Sequence, residues 1–179
     1  MTTLKMTTYT MPAADLGVEN PNPDFNNVEY IHASHKCTDA VNETERKYIG
    51  KGMINTILPY TIQDNYNRDR KMTDFPAVVM ENDYLKAVFL PTLGGRLWSL
   101  FDKRLNKELL YVNSAFQPAN LAIRNAWFSG GVEWNFCIKG HNPLTCDPLF
   151  VEFAETEKGE PVLRMYEYER IRNVVISIE

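Results

Sequence analysis

The fold is decided by residues 76–102, which read PAVVMENDYLKAVFLPTLGGRLWSLFD. Two apolar runs, residues 77–80 and 84–90, flank a Glu-Asn-Asp turn, a pattern typical of a β-hairpin. A Gly-Gly pair then precedes a third apolar run at residues 96–102, and the polar turn after it predicts a return strand over residues 108–112. Short strands separated by turn residues indicate an antiparallel sandwich.

The C-terminal part of the chain predicts a second hairpin and one further strand. Residues 149–154 and 162–171 flank a charged turn, and Leu163 and Met165 share one face of the second strand. Residues 174–179 form a last apolar run with no successor, which leaves an open sheet edge. We expect that strand to pair with another copy, or the chain to be the N-terminal part of a longer one. No segment has a sustained helical period, so the predicted fold class is all-β.

The first 43 residues differ in character from the rest of the chain. They are polar and include Asn20-Pro21-Asn22-Pro23-Asp24, where proline disfavours helix in the residue before it. We therefore predict an irregular N-terminal arm over residues 1–43. A β-sandwich domain is predicted over residues 44–179, truncated at its C-terminus.

Composition excludes several classes of protein. The 179 residues include 19 Lys and Arg against 23 Asp and Glu, a net charge of −4, and 44% of the residues are hydrophobic. This balance argues against a disordered chain and against a nucleic-acid binder that depends on a positive field. No apolar run is long enough for a signal peptide or a membrane span.

Cysteine usage indicates the compartment. Cys37, Cys137 and Cys146 are an odd and sparse set, which is typical of a reducing environment and not of a disulfide framework. The sequence therefore predicts a soluble cytoplasmic protein with neither a nucleic-acid nor a membrane partner.

The residues best suited to chemistry are concentrated between residues 116 and 150. Trp127 and Trp134 flank Gly130-Gly131 beside a carboxylate, an arginine and three asparagines, Asn120, Asn125 and Asn135. Sugars have apolar C–H faces and rings of hydroxyls, so their sites combine aromatic rings with a few placed polar groups. The competing interpretation is a buried pair of tryptophans beside a tight glycine turn.

Glu133 and His141 are the candidate acid and base. A histidine can move a proton near neutral pH, and a carboxylate beside a sugar hydroxyl can act as a base. In the alternative, Glu133 binds backbone or Arg124, and His141 caps a loop. A weaker reading is hydrolysis by two carboxylates, with Glu133 paired to Asp147 or Glu152.

A metal site is not predicted. Cys137, His141 and Cys146 have suitable side chains, but their spacing lacks a fourth ligand nearby and matches no common zinc motif. Buried thiols are the simpler interpretation. The sequence predicts no metal and no cofactor.

Four stretches resemble a known domain. They are PTLGGRLWSL at residues 91–100, KELLY at 107–111, QPANL at 117–121, and Trp134-Asn135. Together they resemble an uncharacterised bacterial domain found at the N-terminus of long tetratricopeptide-repeat proteins. That domain is in turn similar to the galactose-mutarotase (aldose 1-epimerase) supersandwich. The resemblance extends from about residue 48 to the C-terminus.

The resemblance implies the N-terminal part of a β-supersandwich whose concave sheet holds a sugar or oligosaccharide. It places seven residues near that concave face: Arg96, Asn120, Arg124, Trp127, Glu133, Trp134 and His141. The epimerase catalytic residues have no residue-by-residue match here, so Glu133 and His141 are the candidate catalytic pair on their chemistry alone, and the other five are the candidate substrate-binding residues. In such epimerases the carboxylate base lies in the later half of the fold, before which this chain stops. The expected function is therefore a carbohydrate-binding or carbohydrate-active domain. The alternative is a non-catalytic β module for protein interaction or assembly, which forms homo-oligomers through the C-terminal strand.

Overall fold

The structure is a computed structural model, and it describes residues 1–22, 37–49, 56–136 and 141–179. These residues form ten β-strands and one short helix, which confirms the all-β prediction. The elements are β1 (Thr3–Ala13), α1 (Glu43–Arg46), β2 (Lys71–Glu81), β3 (Leu85–Leu90), β4 (Arg96–Asp102), β5 (Lys107–Glu108), β6 (Ala119–Ala122), β7 (Asn125–Trp127), β8 (Phe150–Glu155), β9 (Pro161–Glu169) and β10 (Val174–Ile178).

An antiparallel sheet of five strands, in the order β1-β2-β3-β4-β5, forms the larger layer. The predicted β2–β3 hairpin is confirmed, and Oδ1 of Asn82 accepts hydrogen bonds from the backbone N–H groups of Tyr84 and Leu85, each at 2.9 Å. This side-chain turn is the reason that asparagine is favoured there. The predicted return strand over residues 108–112 is wrong in its extent, because Val132 pairs with Leu97 on β4 beyond the two residues of β5.

Strand β1 corrects the irregular arm predicted over residues 1–43. Thr3–Ala13 pair with β2 over its full length, from Thr3 opposite Glu81 to Ala13 opposite Lys71. Sequence reasoning missed the strand because it lacks an apolar run. Four threonines and a tyrosine supply β-propensity instead, and an edge strand remains partly solvated.

The smaller layer is an antiparallel sheet of three strands, in the order β10-β9-β8. It confirms the second predicted hairpin and the final strand. Leu163 and Met165 on β9 are buried at 3% and 1% exposure, as their shared face predicted. They pack with Val78 on β2 in the cluster between the two sheets, which confirms the antiparallel sandwich.

A second hydrophobic cluster covers the opposite face of the larger sheet. Val79, next to Val78 in sequence, belongs to this second cluster, because successive strand residues point to opposite faces. The cluster contains Trp98, Phe116 and Phe128, of which Trp98 has no exposed surface. Trp98 is therefore a core residue. The rings of this cluster support the segment that follows β7.

Candidate functional site

The site begins with a short backbone pairing at the edge of β4. Leu97 and Val132 exchange backbone hydrogen bonds, with N···O distances of 3.3 and 2.8 Å. In this antiparallel register residue 96 lies opposite residue 133. A Cβ added to Gly131 would lie 2.2 Å from the carbonyl oxygen of Leu97, and Gly131 has a φ of +64°. Glycine is therefore required for the two segments to approach each other.

The carboxylate of Glu133 lies at the centre of the site. Its Oε2 accepts hydrogen bonds from the indole Nε1 of Trp127 at 2.8 Å and from Nδ1 of His141 at 2.7 Å. The rings of Trp127 and His141 are 5.4 Å apart between centroids. The Glu133 side chain is only 10% exposed, and its Oε1 is buried with no hydrogen-bond partner among the described residues. The structure thus brings both predicted acid–base residues into direct contact.

Arg96 supplies the positive charge of the site from inside the protein. Its Nη2 lies 4.0 Å from Oε2 of Glu133, and the side chain is 3% exposed. Burial lowers the pKa of Arg96, and the negative charge of Glu133 partly opposes that shift. Its Nη1 and Nη2 donate to the carbonyl of Gly130 and to Oγ1 of Thr145, each at 3.2 Å. Its guanidinium carbon is 3.9 Å from the ring centre of Phe128. Arg96 therefore joins the segment after β7 to the loop at residues 141–147.

A second set of hydrogen bonds, through Trp134 and Asn142, attaches the same loop to the body of the domain. The indole Nε1 of Trp134 donates to the carbonyl of Gly95 at 2.7 Å, and Nδ2 of Asn142 donates to the carbonyl of Trp134 at 2.5 Å. Sequence reasoning missed Asn142 and Thr145. The Asn-Pro pair at residues 142–143 is a turn signal and was available for the first of them. No sequence signal indicated Thr145.

Arg124 belongs to a different cluster. It is 2% exposed and pairs with Glu19 at 2.6 Å and with Asp147 at 2.5 Å. Burial raises the pKa of Asp147, and the nearby guanidinium partly opposes the shift. Arg124 also donates to the carbonyls of Thr61 and Pro143. These contacts tie an N-terminal segment to the body of the domain, and Glu133 pairs with Arg96 instead of Arg124.

Asn120 also lies outside the group around Glu133. It is exposed on β6, and its Oδ1 accepts a hydrogen bond from the hydroxyl of Tyr66 at 2.6 Å. Of the seven predicted site residues, four are joined by the contacts described above: Arg96, Trp127, Glu133 and His141. Trp134 follows Glu133 in the chain, but its indole donates to the carbonyl of Gly95 and not to this group.

The other two candidate carboxylates bind partners outside the group around Glu133. Asp147 accepts hydrogen bonds from Arg124 and Gln63, and Glu152 pairs with Arg164 at 3.1 Å. None of these described contacts involves Glu133. A pair of carboxylates formed with Glu133 is therefore not supported.

The candidate metal ligands do not form a cluster among the described residues. Cys146 is 2% exposed, and burial raises its pKa to about 12. Within the described ranges, no three His, Cys, Asp or Glu side chains converge as a metal site would require. Cys137 lies outside those ranges.

Of the residues that the structure describes, none belongs to a helix with the length and apolar character needed to cross a bilayer.

Two comparisons relate the chain to known proteins. The model of a family described as "Domain of unknown function (DUF5107)" matches residues 52–173. The crystal structure of a TPR-domain containing protein from Parabacteroides distasonis ATCC 8503 is similar, with a TM-score of 0.67 and 18% sequence identity. The match covers 94% of this chain and 24% of that protein, so the chain spans about a quarter of its length. At this identity the likeness shows the fold alone. The predicted resemblance to an uncharacterised domain of tetratricopeptide-repeat proteins is confirmed to that extent.

Proposed function

The chain belongs to the DUF5107 family of domains of unknown function, and we propose that its site around Glu133 binds a carbohydrate. One observation supports this proposal best. A part-buried carboxylate accepts hydrogen bonds from both an indole and an imidazole, and the two rings lie side by side at 5.4 Å.

The chemistry of the grouping suits a sugar. Aromatic rings offer flat apolar surface to the C–H face of a pyranose, and the imidazole offers hydrogen bonding to its hydroxyls. Trp134 follows Glu133 in the chain and is part-buried, and its indole N–H donates to the carbonyl of Gly95. Arg96 keeps the carboxylate in place without reaching solvent, since it is 3% exposed.

Glu133 and His141 are also the proposed catalytic pair. A hydrogen-bonded carboxylate and imidazole can together accept and return a proton of a bound hydroxyl. The galactose-mutarotase-like relation belongs to this proposal, because such an enzyme moves a proton at a sugar hydroxyl. In that case the domain is carbohydrate-active as well as carbohydrate-binding.

The test is to titrate the protein with a panel of mono- and oligosaccharides and to measure binding by tryptophan fluorescence and by calorimetry. Glu133→Gln should weaken the binding of whichever sugar responds, because the amide replaces one acceptor oxygen and loses the charge beside His141. Glu152→Gln is the matched control, since it makes the same chemical change on β8 of the smaller sheet, beside Arg164. The proposal is overturned if folded protein responds to no sugar, or if the two variants bind the responding sugar equally.

A second candidate function is a β module for protein interaction or assembly. Strand β10 is an edge of the smaller sheet and exposes Val174 and Val175 at 44% and 67%, and Phe150 on β8 is 59% exposed. Unprotected apolar edges favour pairing with another chain. Light scattering should then show oligomers of the wild-type protein, and Val175→Lys should shift the protein to monomers. A monomer at high concentration would count against this function.

A further inference from the structure

The hydrogen bonds of Glu133 determine which nitrogen of His141 holds its hydrogen. Oε2 of Glu133 lies 2.7 Å from Nδ1 of His141, and the same oxygen accepts from Trp127 and faces Arg96. An ionised carboxylate only accepts hydrogen bonds, so Nδ1 is the donor. In the neutral ring Nε2 is then the acceptor nitrogen.

The imidazole is the part of the pair that a ligand reaches. The His141 side chain is 27% exposed, whereas Glu133 is 10% exposed and its Oε1 has no contact with solvent. Within the described residues the hydrogen bonds of His141 involve Nδ1 alone. Among the described residues Nε2 therefore has no competing partner, and the ring to which it belongs is partly exposed.

Among the described residues, the cation beside Glu133 is not available to a ligand. Arg96 is 3% exposed, and its N–H groups are bonded to Gly130 and Thr145. An anionic ligand at His141 would find no exposed cation among the residues named here. It would also approach the negative charge of Glu133, and like charges brought together oppose binding.

We propose that the site selects neutral sugars over acidic ones, through a hydroxyl that donates to Nε2 of His141. Trp127 is a positioning residue in this arrangement, because its indole N–H holds the carboxylate that orients the imidazole. The inference rests on the proposed carbohydrate function and adds the class of sugar to it.

Matched pairs of sugars test the selectivity by calorimetry at a single pH. Galactose is compared with galacturonate, and glucose with glucuronate and glucose 6-phosphate. The acidic members should bind at least about tenfold more weakly, as expected when like charges meet. Equal or tighter binding of the acidic members overturns the selectivity and leaves the carbohydrate function standing. If no sugar of either kind binds, both proposals fail.

Two tryptophan variants test the positioning role. Trp127→Phe and Trp134→Phe each keep an aromatic ring and remove one indole N–H, which bonds Glu133 in the first case and the carbonyl of Gly95 in the second. Nitrogen NMR of the imidazole should show Nδ1 protonated in the wild type and in Trp134→Phe, and a mixture of both tautomers in Trp127→Phe. The positioning role is wrong if Trp127→Phe keeps the single tautomer while its circular dichroism is native. This measurement needs no sugar.

Discussion

Oε2 of Glu133 lies 2.7 Å from Nδ1 of His141, although the two residues are eight positions apart. Both residues are positioned through Arg96. Glu133 lies opposite Arg96 because Val132 pairs with Leu97, and the loop that contains His141 is attached to Arg96 through Thr145. One buried side chain thus sets the relative position of the two proposed catalytic residues.

Replacement of Arg96 by methionine should destabilise the protein strongly. The change removes the hydrogen bonds to Gly130 and Thr145 and leaves the carboxylate of Glu133 without its counter-charge. The loss of one partner of a buried ion pair costs about 3 kcal/mol or more. Urea unfolding measures this cost. Arg164→Met, which breaks solvent-exposed pairs on β9, should cost far less, because water screens such pairs. Equal costs for the two variants would show that Arg96 has no special structural role.

Gly131→Ala should disrupt the pairing between β4 and the segment after β7. The added Cβ would lie 2.2 Å from the carbonyl oxygen of Leu97, at a φ of +64°. Gly159→Ala is the control, because its φ is +75° but nothing lies within 4 Å of the added Cβ. Backbone strain alone costs about 1–2 kcal/mol, so the control should lose about that much and Gly131→Ala clearly more. Thermal unfolding compares them, and similar melting temperatures would contradict the required close approach.

Glu19→Gln should change how stability depends on pH. Burial raises the pKa of Glu19, but hydrogen bonds from Thr61 and Arg124 outweigh it and leave that pKa below its ordinary value of 4.5. A lowered pKa in the folded state adds stability that is present above the unfolded value and lost as the pH falls through the folded one. The wild type should therefore be more stable than Glu19→Gln at pH 7, and the difference should vanish in acid. Because Glu19 is half exposed, we expect the difference to be below about 1 kcal/mol.

Unfolding of both proteins across pH 2–7 measures that difference. Glu157→Gln, in the exposed turn between β8 and β9, should follow the wild type at every pH. A constant gap between the wild type and Glu19→Gln would mean that the carboxylate acts through packing and not through its charge.

The thiol of Cys146 should resist alkylation in the folded protein. Burial raises its pKa to about 12, and the side chain is 2% exposed, so almost no thiolate forms at pH 8. Peptide mapping after treatment with iodoacetamide should find the Cys146 peptide unlabelled in native buffer and labelled in denaturant. The exposed Cys37 serves as the internal control and should react in both. Rapid native labelling of Cys146 would show that this part of the core opens readily.

Much of the sheet was predictable because its signals are local. The strand at residues 96–102 follows from its own apolar pattern. The turn at Asn82 follows from one side chain that accepts hydrogen bonds from the backbone of its neighbours. Strand β1 was not predictable in this way, since its threonines make a strand only when β2 provides a partner. The extent of β5 was also wrong, because a distant segment at Val132 competes for the same edge of β4.

The site residues also fall into those whose grouping residue type indicated correctly and those that it did not. Residue type indicated Glu133, His141 and Trp127, and the structure brings these three together. Residue type also grouped Arg124 with them, whereas Arg124 bonds Glu19 and Asp147 in a separate cluster. Residue type shows what a side chain is able to do, and it contains no information about which partner the fold places beside it.

An all-β sandwich could be inferred from the sequence alone, because alternation and turn chemistry act over a few residues. The sequence also showed which side chains are available for proton transfer and aromatic contact. The folded structure was needed to show that Glu133 contacts His141 and Trp127, and that Arg96 and not Arg124 is its counter-charge. The reason is physical: those contacts depend on the register between β4 and a segment more than thirty residues away, and that register is set by packing against the whole core.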